Sequence, residues 1–129
     1  MQRYVGIPFV DRGHCASGCD CWGLVRYIYS NEVGIELPDF DISAFDVDRV
    51  VDQMERSKKE WDDVTKSPEP YDVVAMHLGT RYFGMVNHVG VYMGDGKFIH
   101  TMEKTGSMVN RLSDAVWTPR ILGIYRWVN

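Results

Sequence analysis

The chain has 129 residues, a formal charge of −4, 45% hydrophobic and 25% charged residues. That is enough for one domain with a real core and leaves no room for a second. The acidic balance, with basic residues scattered along the chain, excludes phosphate-backbone binding as the main activity, so no nucleic-acid partner is expected. No stretch approaches the roughly 20 apolar residues of a membrane span.

Taken in chain order, Met1-Gln2-Arg3-Tyr4 lacks the apolar core of a signal peptide, so the chain is expected to be made in the cytoplasm and to stay there unless something else carries it out. Tyr4 to Val10 is apolar and β-prone but broken by Gly6 and Pro8, which suits an irregular or edge segment. Asp11 to Gly18 reads as a polar loop. Asp20 is a good N-cap residue, and Cys21, Leu24, Val25 and Ile28 recur at helical spacing, so a helix is expected from Cys21 to Ser30 or Asn31, stopped near Gly34. A connector containing Pro38 leads to a second helix expected over Ser43 to Trp61, with Val47, Val50, Val51, Met54 and Trp61 on one face. Pro68 and Pro70 close the helical half.

Beyond Tyr71 the pattern turns to β. Strands are expected over Asp72–Leu78, His88–Met93, Lys97–Met102, Met108–Leu112 and Ile121–Val128. Helices followed by an antiparallel meander indicate an α+β fold, with the N-terminal helices packed on a C-terminal sheet.

Two stretches carry chemistry. Cys21 falls in the first turn of a helix, where unpaired N–H groups and the helix dipole favour a thiolate, the reactive form. The same octapeptide, Gly18 to Val25, equally suits a small buried core cysteine. The second stretch is the hairpin His88 to Thr101. A two-residue Asp95-Gly96 loop pairing Met93 with Phe98 would put His88 and His100 on opposite faces. A three-residue loop with Gly96 left-handed pairs Met93 with Lys97 and Tyr92 with Phe98. That register gathers Val89, Val91, Met93 and Ile99 on one face, and His88, Gly90, Tyr92, Phe98 and His100 on the other. It sorts the aliphatic residues better and sets His100 opposite Gly90. Two histidines on one face can act as base and orienter for a thiol, or be ordinary strand residues. His77 reads as structural and His14 as exposed. Cys15, Cys19 and Cys21 make a poor disulfide framework, and with His14 they lack paired zinc-ligand spacing, so no metal or other cofactor is expected.

With these residues in view the chain resembles the NlpC-type cell-wall cysteine endopeptidases, a minimal papain-like fold. The resemblance rests on Gly6-Ile7-Pro8-Phe9, on Gly18-x-Asp20-Cys21-x-Gly23-Leu24-Val25, on Asp72-Val73-Val74, and on His88-Val89-Gly90-Val91-Tyr92 followed by Gly94 to His100. It implies Cys21 as nucleophile, His88 as general base and acid, and His100 as the residue orienting His88. It also implies an oxyanion contact from the Cys21 N–H and a contribution of Asp20 to a substrate amine. The implied substrate is a peptidoglycan stem peptide, cut between D-γ-glutamyl and a diamino acid. Phe9 stands where such enzymes usually carry a Tyr near the Cys, Trp22 replaces the commoner Ser, and Cys19 a larger apolar residue. Trp22 and the N-terminus look most like phage tail-associated members, which would act from a virion tail and have tail proteins as partners. The competing readings are a weakly active structural or assembly protein of a tail, an amidase or acyltransferase using the same site, and a metal-binding module at the three cysteines.

Overall fold

The computed structural model describes residues 1–128. Its strands are β1 (His14–Cys15), β2 (Gly18–Cys19), β3 (Trp61–Asp63), β4 (Val73–Met76), β5 (His88–Gly94), β6 (Lys97–Met102), β7 (Gly106–Arg111) and β8 (Ile121–Trp127), and its helices are α1 (Cys21–Ile28) and α2 (Val47–Ser57). β1 and β2 form a two-residue hairpin, and the other six strands make one antiparallel sheet in the order β3-β8-β4-β5-β6-β7. This is the expected α+β arrangement of helices on an antiparallel sheet.

α1 starts where the sequence requires it. The Asp20 carboxylate accepts from the Gly23 N–H at 2.7 Å, satisfying one of the donors a helix start leaves open. Leu24, Val25 and Ile28 are fully buried and pack with Val89, Val91 and Ile99 of β5 and β6, so the helix lies on the aliphatic face of the hairpin. Past Ile28 the chain widens into a π-type turn, Tyr29–Val33, closed by Gly34 at φ 77°. The expected helix end at Ser30 or Asn31 falls inside that turn.

α2 is shorter than the expected Ser43–Trp61. Asp46, not Ser43, caps it, through Oδ1 to the Arg49 N–H. Ser43 and Ala44 bind Asp11 instead, Ser43 Oγ donating to Oδ2 at 2.7 Å and the Ala44 N–H to Oδ1 at 2.6 Å. At the other end a 3₁₀ turn over Lys58–Glu60 releases Trp61 into β3, opposite Trp127. A helical period could not show that Trp61 has a strand partner 66 residues away (127 − 61).

The hairpin joins features of both registers weighed above. Its loop is two residues, Asp95 and Gly96, both at positive φ (54° and 75°), the signature of a type I′ turn. Gly94 pairs with Lys97, so the expected three-residue loop and the Met93–Lys97 pair are corrected. The pairing nevertheless shifts by one residue at Met93, and beyond this bulge Tyr92 faces Phe98 and Val91 faces Ile99 as expected. The bulge absorbs the residue that would otherwise have moved His100 to the other face. Gly90 lies opposite His100: a Cβ there would stand 2.6 Å from the Ile99 carbonyl oxygen and 3.0 Å from His100 Cβ.

The second face of the sheet carries its own core of Val74, Met76, Tyr92, Phe98, Trp117 and Ile124. The histidine pair sits against this core, on the side of the sheet away from α1.

Candidate active site

Cys21 is the first residue of α1 and His88 the first residue of β5. Although the helix and the histidine pair lie on opposite sides of the sheet, both end residues line one cleft of about 420 Å³, together with Phe9, Phe45, Arg81 and Glu103. The cleft sits at the end of the sheet, where a side chain from either layer can reach it. The N–H groups of Val89, the residue after His88, of Trp22 and of Cys21 itself favour the ionised form of the Cys21 thiol.

His88 Nε2 lies 2.9 Å from His100 Nδ1, and His100 Nε2 lies 2.7 Å from Asn110 Oδ1 on β7. All three rings or amides project from neighbouring strands to one face, since Phe98 pairs with Asn110 and His100 with Met108. The Trp117 indole covers the pair, 4.4 Å from the His100 ring and edge-on, and 6.5 Å from the His88 ring and nearly parallel. Phe98 closes the other side of His100 at 4.9 Å.

This enclosure acts on the titrating groups. Burial pushes His88 down to about 3, helped by the neighbouring His100, and lowers His100 against the raising effect of Asn110. Burial likewise pushes the Cys21 thiol up to about 12, with a further push from the Asp20 carboxylate. The N–H groups of the helix start act on Cys21 in the expected direction, and desolvation outweighs them. Both shifts run toward the neutral forms of the thiol and the imidazole.

The other residues singled out from the sequence fall as follows. Asp20 is buried with both carboxylate oxygens engaged, Oδ1 by the Gly23 N–H and Oδ2 by the Arg12 N–H at 2.8 Å. Its position is that of a structural anchor of the loop–helix junction. Phe9 lines the cleft with Cys21, bridging to Cys19 through its backbone and touching Phe45. Trp22 points the other way. It stacks on Phe40 at 5.3 Å, meets Trp61 edge-on, and donates from Nε1 to the Pro38 carbonyl. With Arg12, Arg26 and Phe40 it walls a second, smaller recess that also reaches Cys21. Ala44, held by Asp11, borders both recesses. The three thiols occupy different surroundings: Cys15 is exposed, Cys19 is buried in the core and Cys21 opens to the cleft. His14 is exposed, and His77 is buried with Nδ1 2.7 Å from the Met85 carbonyl oxygen.

Sequence reasoning missed Asn110 and Trp117. Asn110 was legible in principle, as a polar residue inside a strand on the face that pairs with Phe98. Trp117 lies in the connection between β7 and β8, and nothing local marks it.

The NlpC/P60 family profile matches residues 6–126. The chain belongs to the NlpC/P60 family. It is 30% identical over 129 residues to the gamma-DL-glutamyl hydrolase of Bacillus subtilis (strain 168), covering 99% of this chain and 28% of that protein. It is 31% identical over 129 residues to the murein DD-endopeptidase MepH of Escherichia coli (strain K12), covering 98% of this chain and 43% of that one. The chain thus spans less than half the length of either relative. Among solved structures, the NlpC/p60 domain of the peptidoglycan hydrolase SagA superposes with a TM-score of 0.61 at 22% identity, over 99% of this chain and 92% of that one. An NLP/P60 family protein of Staphylococcus aureus subsp. aureus Mu50, similar to lipoprotein, gives a TM-score of 0.70 at 22% identity, over 98% of this chain and 38% of that one. At these identities the structural likeness speaks for the fold alone.

Proposed function

We propose that this NlpC/P60 chain is a cysteine peptidase that hydrolyses peptide bonds in peptidoglycan stem peptides, at the bond between D-γ-glutamyl and a diamino acid. The observation that carries the reading is the shared cleft: a cysteine at a helix start and a histidine at a strand start, with the histidine held by His100. In this mechanism Cys21 sulfur attacks the amide carbonyl while His88 takes the thiol proton. The oxyanion of the tetrahedral intermediate is met by the Cys21 N–H at the open helix start. His88 then gives its proton to the departing amine, and a water activated by His88 releases the acyl group and restores the thiol.

The substrate class is supported by two relatives, a gamma-DL-glutamyl hydrolase and a murein DD-endopeptidase. Action from a phage tail, with tail proteins as partners, is the finer form of the proposal and rests on sequence features, chiefly Trp22 after the nucleophile. Digestion of purified muropeptides, with product masses read against a Cys21→Ala control, tests the reading. New amino termini on the diamino acid support it. Loss of an amide group or transfer of an acyl group would replace it with an amidase or acyltransferase, and no turnover at any pH near neutrality would leave a structural protein. Antibody labelling of virions from a host carrying the gene tests the tail location: label at the tail tip supports it, and label absent from virions overturns it.

A further inference from the structure

The hydrogen-bond chain does not end at His100, and its far end has a chemical polarity. Asn110 presents its amide oxygen to His100 Nε2 at 2.7 Å. An amide oxygen only accepts, so His100 Nε2 carries the hydrogen. Neutral imidazole carries one, which leaves His100 Nδ1 as an acceptor facing His88 Nε2 at 2.9 Å. His88 must then donate from Nε2, and the lone pair of its other nitrogen, Nδ1, is left for the thiol proton of Cys21.

We infer that Asn110 is a positioning residue that sets the tautomers of both histidines and so makes His88 a base toward Cys21. The reversed polarity would be unproductive. Were the Asn110 amide nitrogen to donate to His100 Nε2, His100 would donate from Nδ1, and His88 would hold its hydrogen on Nδ1, where it could accept nothing from sulfur.

Two features of the fold support a dedicated role. His100 is fully buried and His88 nearly so, under Trp117 and Phe98, so water has little access to supply the missing partner if Asn110 is removed. Asn110 itself is only half-buried, so its amide NH₂ can be solvated while its oxygen faces inward. The inference rests on the cysteine-peptidase reading, because it concerns how that reading's base is prepared.

The test uses ¹⁵N-histidine spectra of the whole chain together with the rate of Cys21 alkylation by iodoacetamide as a function of pH, which needs no substrate. In the wild type both rings should appear as Nε2–H tautomers. Asn110→Leu should convert His100 to a mixture of tautomers and slow both alkylation and turnover by about 10²-fold with KM retained, the kind of loss a mis-set tautomer brings. Asn110→Asp keeps the shape and accepts only, so the tautomers should persist. Its negative charge favours protonated histidine, so the acid limb of the alkylation profile should move to higher pH. A purely structural Asn110 would leave the tautomers unmoved in Asn110→Leu and the pH profile unmoved in Asn110→Asp. That result, or an Nδ1–H tautomer of His100 in the wild type, overturns the inference while leaving the cysteine-peptidase reading intact. Alkylation of Cys21 equally fast in His88→Ala would remove the reading beneath it.

Discussion

His88 Nε2 and His100 Nδ1 stand 2.9 Å apart across a hairpin whose two-residue turn, taken alone, would have separated them onto opposite faces. The bulge at Met93 reconciles the two. It lets Asp95-Gly96 form the tight turn their conformations favour, and still returns the strand to the register in which Gly90 meets His100. The histidine pair is thus a product of one extra residue in β5, Met93, just before pairing resumes at Gly94.

Gly90→Ala tests that close approach. The new Cβ would meet the Ile99 carbonyl oxygen at 2.6 Å, so β5 and β6 must part locally. The expected cost is about 1–3 kcal/mol in urea denaturation, as for other overpacked sites, with turnover lost beyond what the unfolded fraction explains. Unchanged turnover would mean that the His88–His100 contact is not needed.

Asp20→Ala removes the acceptor for two backbone N–H groups, those of Gly23 and Arg12. A loss of about 1–2 kcal/mol is expected from the cap, read by urea or thermal unfolding. Asp20→Asn, which keeps an acceptor oxygen, should recover part of it. If Asp20 instead served mainly to bind a substrate amine, both variants would raise KM and leave stability untouched.

Stability should show a plateau bounded by the site's own titrations. His88 is depressed from 6.5 to about 3 in the folded chain. Between those values the unfolded chain holds the extra proton, so stability is present above about pH 6.5 and is lost as pH falls toward 3. Cys21 and Cys19 are both raised from 9.0 to about 12 by burial. Above pH 9 the unfolded thiols ionise while the folded ones do not, so stability falls again as pH rises. Thermal scans from pH 4 to 10.5 should therefore show the highest Tm between roughly 6.5 and 9, and His88→Gln should flatten the acid side. An acid side unchanged in that variant would assign the loss to other groups.

Phe9→Tyr would add a hydroxyl to a ring that already lines the cleft with Cys21. By analogy with the tyrosine usual at this place in the family, it should donate to the developing oxyanion and raise kcat up to about tenfold, a fraction of what one full oxyanion donor supplies. KM and Tm should stay within error. A fall in kcat would show that the cleft is shaped for the smaller ring.

Much of this was legible in the residues because the deciding signals were local. The Asp20 cap and the apolar spacing from Cys21 to Ile28 mark α1, and alternation across β5 and β6 sorts the aliphatic face from the histidine face. The features that were not legible depend on distant partners. Trp61 reads as helical until Trp127 pairs with it, and Ser43 reads as a helix start until Asp11 binds it. The surroundings of Cys21 divide in the same way: a helix start is written in the sequence, whereas the desolvation that opposes it comes from the packed layers around the cleft.

The central claim is that Cys21 forms a covalent acyl-enzyme during cleavage of a wall stem peptide. Acid-quenched intact-mass analysis of the chain mixed with a purified tripeptide or tetrapeptide stem addresses it directly. An adduct equal to the acyl portion up to D-γ-glutamate, mapped to Cys21 and absent from Cys21→Ala and His88→Ala, is the predicted result. Stem-peptide cleavage that persists in Cys21→Ala would contradict it.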